Sequence, residues 1–143
     1  MVFLEFVLNI EPLSVNKLYG NIPGQARRFV SSEGKKFKSA VATSIRDRVM
    51  ERGLTKDISE MSDQPLSVYM AVGLPTWYLK DGKTIRKKDL DNTAKATLDS
   101  VFQTLAEFNE NVDDSQIWEL TQIKFVSDEP IIKIIIKTFV PLH

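Results

Sequence analysis

The chain contains no cysteine. This excludes a disulfide framework and any thiolate metal centre, and it agrees with a reducing, cytoplasmic setting. The one histidine is His143, so neither a histidine-based metal site nor a catalytic imidazole is expected. No apolar run reaches the roughly 18–20 residues that span a bilayer. The opening "MVFLEFVLNIEP" lacks a basic stretch and carries Glu5, so it is not read as a signal peptide and no membrane partner is expected. There is no glycine-rich phosphate loop, no Gly/Ser linker and no repeat. The 143 residues are therefore read as one domain, 1–143.

The formal net charge is zero, but the charges are segregated. Arg27 to Lys56 holds nine cations against three acids, and Lys80 to Lys88 holds five against one. Asp99 to Glu129 holds eight acids against one cation. Such separation suits either a charge-paired interface or a polyanion site with its metal ligands.

Alternation over residues 2–10, with Val2, Leu4, Phe6, Leu8 and Ile10 on one side, predicts a strand. A long loop follows. Ser32 is the expected N-cap of a helix ending at Gly53, with Phe37, Ala40, Val41, Ile45 and Val49 facing inward and Lys35, Lys38, Arg46 and Arg52 outward. Residues 65–75 predict a second strand, and Asp81-Gly82 marks a hairpin tip. Asp91 or Asn92 is expected to cap the next helix. Its stripe is Ala94, Leu98, Val101, Phe102 and Leu105. Strands are expected at 117–126 and 131–140, the latter central. The class is α/β (α+β): a single mixed β-sheet of about four to five strands with two main helices packed on one side.

The chemistry is concentrated in "IRKKDLDNTAKATLD", 85–99. Asp89 and Asp91 follow Arg86, Lys87 and Lys88, and Lys95 comes one helical turn later. Carboxylates spaced i, i+2 on an extended segment point the same way and repel unless a proton or cation lies between them. Mg²⁺ suits such oxygen ligands. A second acidic pair, Asp113-Asp114, reaches them only if the chain turns back. A plainer alternative is also open: Asp91 as a cap, Asp91–Lys95–Asp99 as an i, i+4 ladder, and Asp113-Asp114 as a solvated turn. That alternative describes a non-catalytic DNA-binding or remodelling protein. A calcium loop starting at Asp89 fails, because its sixth and twelfth positions are Ala94 and Ser100. A D-x-D-x-T phosphatase fails because "KTIRKK" is no buried strand.

Taken together, "KKDLDNTAKATLDSVFQ" and "NVDDSQIWELTQIKF" resemble the core of the RusA-type Holliday-junction resolvases, a family found mainly in phages and prophages. The D-L-D-N-x-x-K signature falls on Asp89 to Lys95, and D-D-x-Q falls on Asp113 to Gln116. "PLSVNKLYG" is similar to the family's P-x-S-x-N segment at Pro12, Ser14 and Asn16. "FVSSEGKKFK" resembles the entry to its first helix.

The resemblance implies a homodimeric endodeoxyribonuclease that cuts four-way DNA junctions. It implies Mg²⁺ as cofactor, with Mn²⁺ as a substitute, and no small-molecule cofactor. The catalytic aspartates fall on Asp89, Asp91 and Asp114, which also bind the metal, and the essential lysine falls on Lys95. DNA contacts are expected from Asn16, Lys17, Lys80, Lys83, Arg86, Lys87 and Lys88.

Overall fold

A computed structural model describes residues 1–13, 19–21, 28–85 and 90–141. Ser14, Asn16, Lys17, Arg86, Lys87, Lys88, Asp89 and His143 lie outside the described residues. The expectations placed on them therefore stay open.

Among the described residues six strands are present: β1 (Val2–Leu8), β2 (Tyr19–Asn21), β3 (Arg28–Val30), β4 (Leu66–Leu74), β5 (Ile117–Val126) and β6 (Ile131–Thr138). Three helices accompany them: α1 (Ser32–Arg52), α2 (Thr55–Met61) and α3 (Leu90–Leu105). A one-turn 3₁₀ helix, Asp114–Gln116, precedes β5. The main sheet runs β1-β6-β4-β5, with β6 antiparallel to both neighbours and β4 parallel to β5. The expected mixed sheet with helices on one side is present. The segment read as one long loop also holds the small β2–β3 hairpin, and α2 is an additional short helix.

β4 and β6 occupy the two inner positions, and their sequences show why. Leu66, Val68, Met70 and Leu74 are at most 1% exposed, as are Ile132, Ile134 and Ile136. On the helix side these residues form one core with Phe37, Val41, Ile45 and Val49 of α1 and with the expected stripe of α3. Removing one such side chain, as in Ile45→Ala, costs about 2–5 kcal/mol. The second face of the sheet carries Glu5, Val7, Lys133 and Lys137, all exposed. Gly73 is required by close approach: a Cβ there would lie 2.6 Å from the Phe125 ring and from Ser127 Oγ.

Three local expectations shift. Simple alternation puts Val2 inside, yet Val2 is 52% exposed and Phe3 is buried. A register irregularity between Val2 and Leu4 moves the first residue to the other face. The cap of α1 is Ser31, whose Oγ accepts from Gly34 N at 2.9 Å, and not Ser32. The left-handed Gly53, φ 61°, ends that helix as expected. Asp91 and Asn92 lie inside the first turn of α3, so neither is its cap.

Candidate active site

α3 is the scaffold of the site. Its inner face is buried by apolar groups and by Thr97, Ser100 and Thr104. These three hydroxyls donate to the backbone carbonyls of Thr93, Ala96 and Ser100, one turn back, at 2.9–3.1 Å. Back-bonding of this kind lets polar side chains enter a packed interface without losing a hydrogen bond. The outer face carries Asp91, Lys95 and Asp99 at i, i+4 and i+8. Asp91 and Lys95 are exposed and Asp99 is half-buried.

The first carboxylate of this row is held from the sheet. Gln122 of β5 donates through Nε2 to Asp91 Oδ1 at 3.1 Å. A carboxylate near the N-terminus of a helix is also favoured by the helix dipole. Asp91 itself lies on helical backbone, in the first turn of α3.

The chain does turn back after α3. Asp113 caps the 3₁₀ turn: its carboxylate accepts from Ser115 N and from Ser115 Oγ. Gln116 completes a capping box, its Oε1 accepting from Asp113 N at 2.9 Å. Gln116 Nε2 donates to the carbonyls of Met61 and Gln64, which pins the turn to the end of α2. The Ser115 hydrogen bonds hold the Asp113 carboxyl below the ordinary aspartate range. In the D-D-x-Q motif, Asp113 and Gln116 thus build the turn, and Asp114 is directed to α3.

There Asp114 meets Asp99. Burial pushes the Asp99 carboxyl up from its ordinary value, and the hydrogen bond to Asp114 and the charge of Asp114 push it further. Lys95 and Lys38 of α1 pull it the other way. Two cations and two carboxylates therefore converge midway along α3. From Lys38 a groove of about 350 Å³ runs between α1 and α3 to Arg46 and Glu107. Those two form a bidentate ion pair with contacts of 2.5 and 2.8 Å.

Asp91 and Asp99 are separated by two helical turns, roughly 11–12 Å. Among the described residues no three acidic, histidine or cysteine side chains come close enough to share one metal ion. Asp89 lies outside them. The donors present are all carboxylates, the hard oxygen ligands that Mg²⁺ takes, often only one or two at a time with water completing the shell. The donor set fits that ion. A helix-only Asp91–Lys95–Asp99 ladder does not describe the site, since Gln122 reaches Asp91 from β5 and Asp114 reaches Asp99 from the 3₁₀ turn.

Lys80 and Lys83 are exposed on a hairpin closed by a Tyr78–Ile85 bridge. Asp81 shapes its tip as expected, with Oδ1 accepting from the backbone N of Lys83 and of Thr84, both at 2.8 Å. Its Oδ2 accepts from the Thr84 hydroxyl at 2.5 Å. Gly82 takes the left-handed conformation, φ 69°.

Gln122 carried no functional signal in the sequence, and Lys38 stood out only as one member of the cationic face of α1. A lone glutamine in a strand and one lysine of a cationic helix are ordinary surface residues. Asp99 was visible only as the end of a helical charge row.

Among the described residues no helix is long and apolar enough to cross a membrane. No curated protein matches the chain. A family model described as endodeoxyribonuclease RusA matches residues 10–137, from the end of β1 to the end of β6. The matched span contains the α3 row, the 3₁₀ turn and Gln122, and the chain belongs to the RusA family of Holliday-junction endodeoxyribonucleases.

Proposed function

We propose that the chain acts as a single cytoplasmic domain, pairs as a homodimer, and resolves four-way DNA junctions by two symmetric Mg²⁺-dependent nicks. The proposed metal ligands are Asp91, Asp114 and Asp89, and Lys95 is the proposed phosphate-facing cation. Mn²⁺ fits the same oxygen donors. The observation that carries this reading is the return of the 3₁₀ turn onto α3. It brings the second acidic motif, through Asp114, back to the helix that carries Asp91 and Lys95.

Mg²⁺ bound at these carboxylates supplies charge against the scissile phosphate and lowers the pKa of a bound water. The chain's own residues do the rest. Lys95 offsets charge on the phosphate or on the leaving oxygen. Lys80 and Lys83 hold flanking backbone, as do Arg86, Lys87 and Lys88, with Asn16 and Lys17 on the N-terminal segment. Such contacts provide affinity and register but carry no base sequence.

Two cuts require two sites, which closed two-fold symmetry provides. β6 offers no free edge for pairing, since β1 and β4 flank it. β5 is an outer strand with Trp118 66%, Ile123 39% and Val126 71% exposed. An apolar edge of this kind suits a second copy of the chain.

The test is incubation with a labelled four-way junction and with a linear duplex, each in Mg²⁺ and in EDTA. Paired symmetric nicks on the junction in Mg²⁺ alone are expected. Equal cutting of the duplex, or cutting in EDTA, would overturn the reading.

A further inference from the structure

We infer that Gln122 is a positioning residue for the metal site: its side-chain amide fixes the Asp91 carboxylate so that the second oxygen is presented to the ion. The inference rests on Asp91 being a metal ligand.

The geometry is specific. Gln122 Nε2 stands 3.1 Å from Asp91 Oδ1. The other amide atom, Oε1, is buried and has no hydrogen-bond donor among the described residues. The amide is thus placed for Asp91 and not for its own full satisfaction. Turned over, it would set Oε1 against the carboxylate oxygen, two acceptors facing each other. The orientation is therefore set by the acceptor that Asp91 presents.

The support beneath the amide is stiff. Gln122 sits in the middle of β5, in register with Met70 of β4, which is fully buried. Asp91 is exposed in the first turn of a helix. A donor from the sheet narrows the rotamers open to its carboxylate before the ion binds. A neutral amide does this without a positive charge that would compete with the ion for the carboxylate. Partners of this kind, hydrogen-bonded to a metal ligand, set its direction, and losing one typically lowers metal affinity about 10–100-fold.

The test uses the full chain without DNA. Mn²⁺ binding is followed by the loss of the free-ion paramagnetic resonance signal, in wild type, Gln122→Met, Gln122→Asn and Asp91→Asn. Methionine keeps the length and removes the donor. Asparagine keeps the donor but is one methylene too short. Thermal melts accompany each variant, and if Gln122→Met unfolds, Gln122→Asn decides. Binding about 10–100-fold weaker in the Gln122 variants, with melts unchanged, is the expected result. A parallel titration of nicking should need correspondingly more Mg²⁺, with junction binding in EDTA unaltered. Wild-type Mn²⁺ binding by a folded Gln122 variant, while Asp91→Asn has lost it, overturns the inference alone. Wild-type binding by Asp91→Asn overturns both the inference and the assignment of Asp91 as a ligand.

Discussion

Asp99 on α3 and Asp114 on the 3₁₀ turn lie against each other, so that Asp114 adds to burial in pushing the Asp99 carboxyl above its ordinary value. Both carry negative charge when ionised, and Asp99 is half-buried. Their repulsion is only partly offset by Lys95 and Lys38. Asp99→Asn removes the repulsion and keeps a hydrogen-bonding group. At neutral pH without divalent ions the variant should be the more stable by about 0.5–1 kcal/mol, a figure kept small because solvent screens the pair. That corresponds to a melting temperature roughly 2 °C higher. Added Mg²⁺ should stabilise wild type more than the variant. Melts in EDTA and in Mg²⁺ check both statements, and a lower-melting Asp99→Asn in EDTA would contradict the like-charge account.

Asp91→Asn should abolish junction cleavage, because it removes a proposed metal ligand. Junction binding in EDTA should be unchanged or slightly tighter, because one negative charge next to a polyanion is gone. Lys95→Ala should slow cleavage while leaving the Mg²⁺ concentration for half-maximal rate near that of wild type. Single-turnover nicking of a labelled junction, beside binding curves, separates the two effects. Wild-type nicking by Asp91→Asn would remove it from the metal-ligand set.

The parts of the fold legible in the sequence are those with a strong period. Ala94, Leu98, Val101, Phe102 and Leu105 mark α3 because one helical face is apolar. β4 and β6 are near-continuous apolar runs because both are inner strands whose helix-facing side is fully buried, although β6 leaves Lys133 and Lys137 on the open face. What was not legible depends on partners distant in sequence. Nothing in β5 announces that it pairs parallel to β4, or that this pairing brings Gln122 under Asp91. The displaced Val2 follows from one register irregularity, to which alternation is blind. Likewise, a D-D pair read along the chain does not say which aspartate builds the turn. Ser115 and Gln116 decide that by bonding Asp113.

Charge on the outer strand should separate the subunits. Ile123→Glu with Val126→Glu alters two exposed β5 residues that support no core contact. Light scattering at micromolar concentration should show wild type at twice the 16.3 kDa chain mass and the double variant at the single-chain mass. The variant's nicks should become unpaired, one strand at a time. A double variant that remains dimeric would place the interface elsewhere.

The hairpin tip should lose its order in acid. Hydrogen bonds from the Thr84 hydroxyl, then from the backbone of Thr84 and Lys83, hold the Asp81 carboxyl below its ordinary value of 3.8. A depressed carboxylate contributes stability that is present above its unfolded pKa and is lost as pH falls through its folded pKa. The amide proton shifts of Lys83 and Thr84 should therefore titrate together, with a midpoint under 3.8. Asp81→Ala should abolish that titration. A midpoint at or above the ordinary value would mean that the carboxylate does not hold the tip.

The same hairpin is the described part of the proposed DNA contact. Lys80 and Lys83 are exposed beside a tip whose backbone Asp81 fixes, so their charges are displayed from a defined position. If each neutralises a phosphate, binding releases counterions, and the logarithm of the binding constant falls with the logarithm of salt by about 0.9 per contact. Lys80→Ala with Lys83→Ala should then weaken junction binding and reduce that slope by about one to two. The competing account is that these lysines only keep an exposed loop solvated. In that case the slope is unchanged, and any loss of binding follows a lower melting temperature. Asp81→Ala adds a control: it removes a negative charge and the order of the tip while keeping both lysines. It should preserve most of the slope and reduce affinity through disorder. Binding at several salt concentrations beside melts of all three proteins distinguishes the cases. An unaltered slope with an unaltered melt in the double variant would move the DNA track to the α1 cations around Lys38.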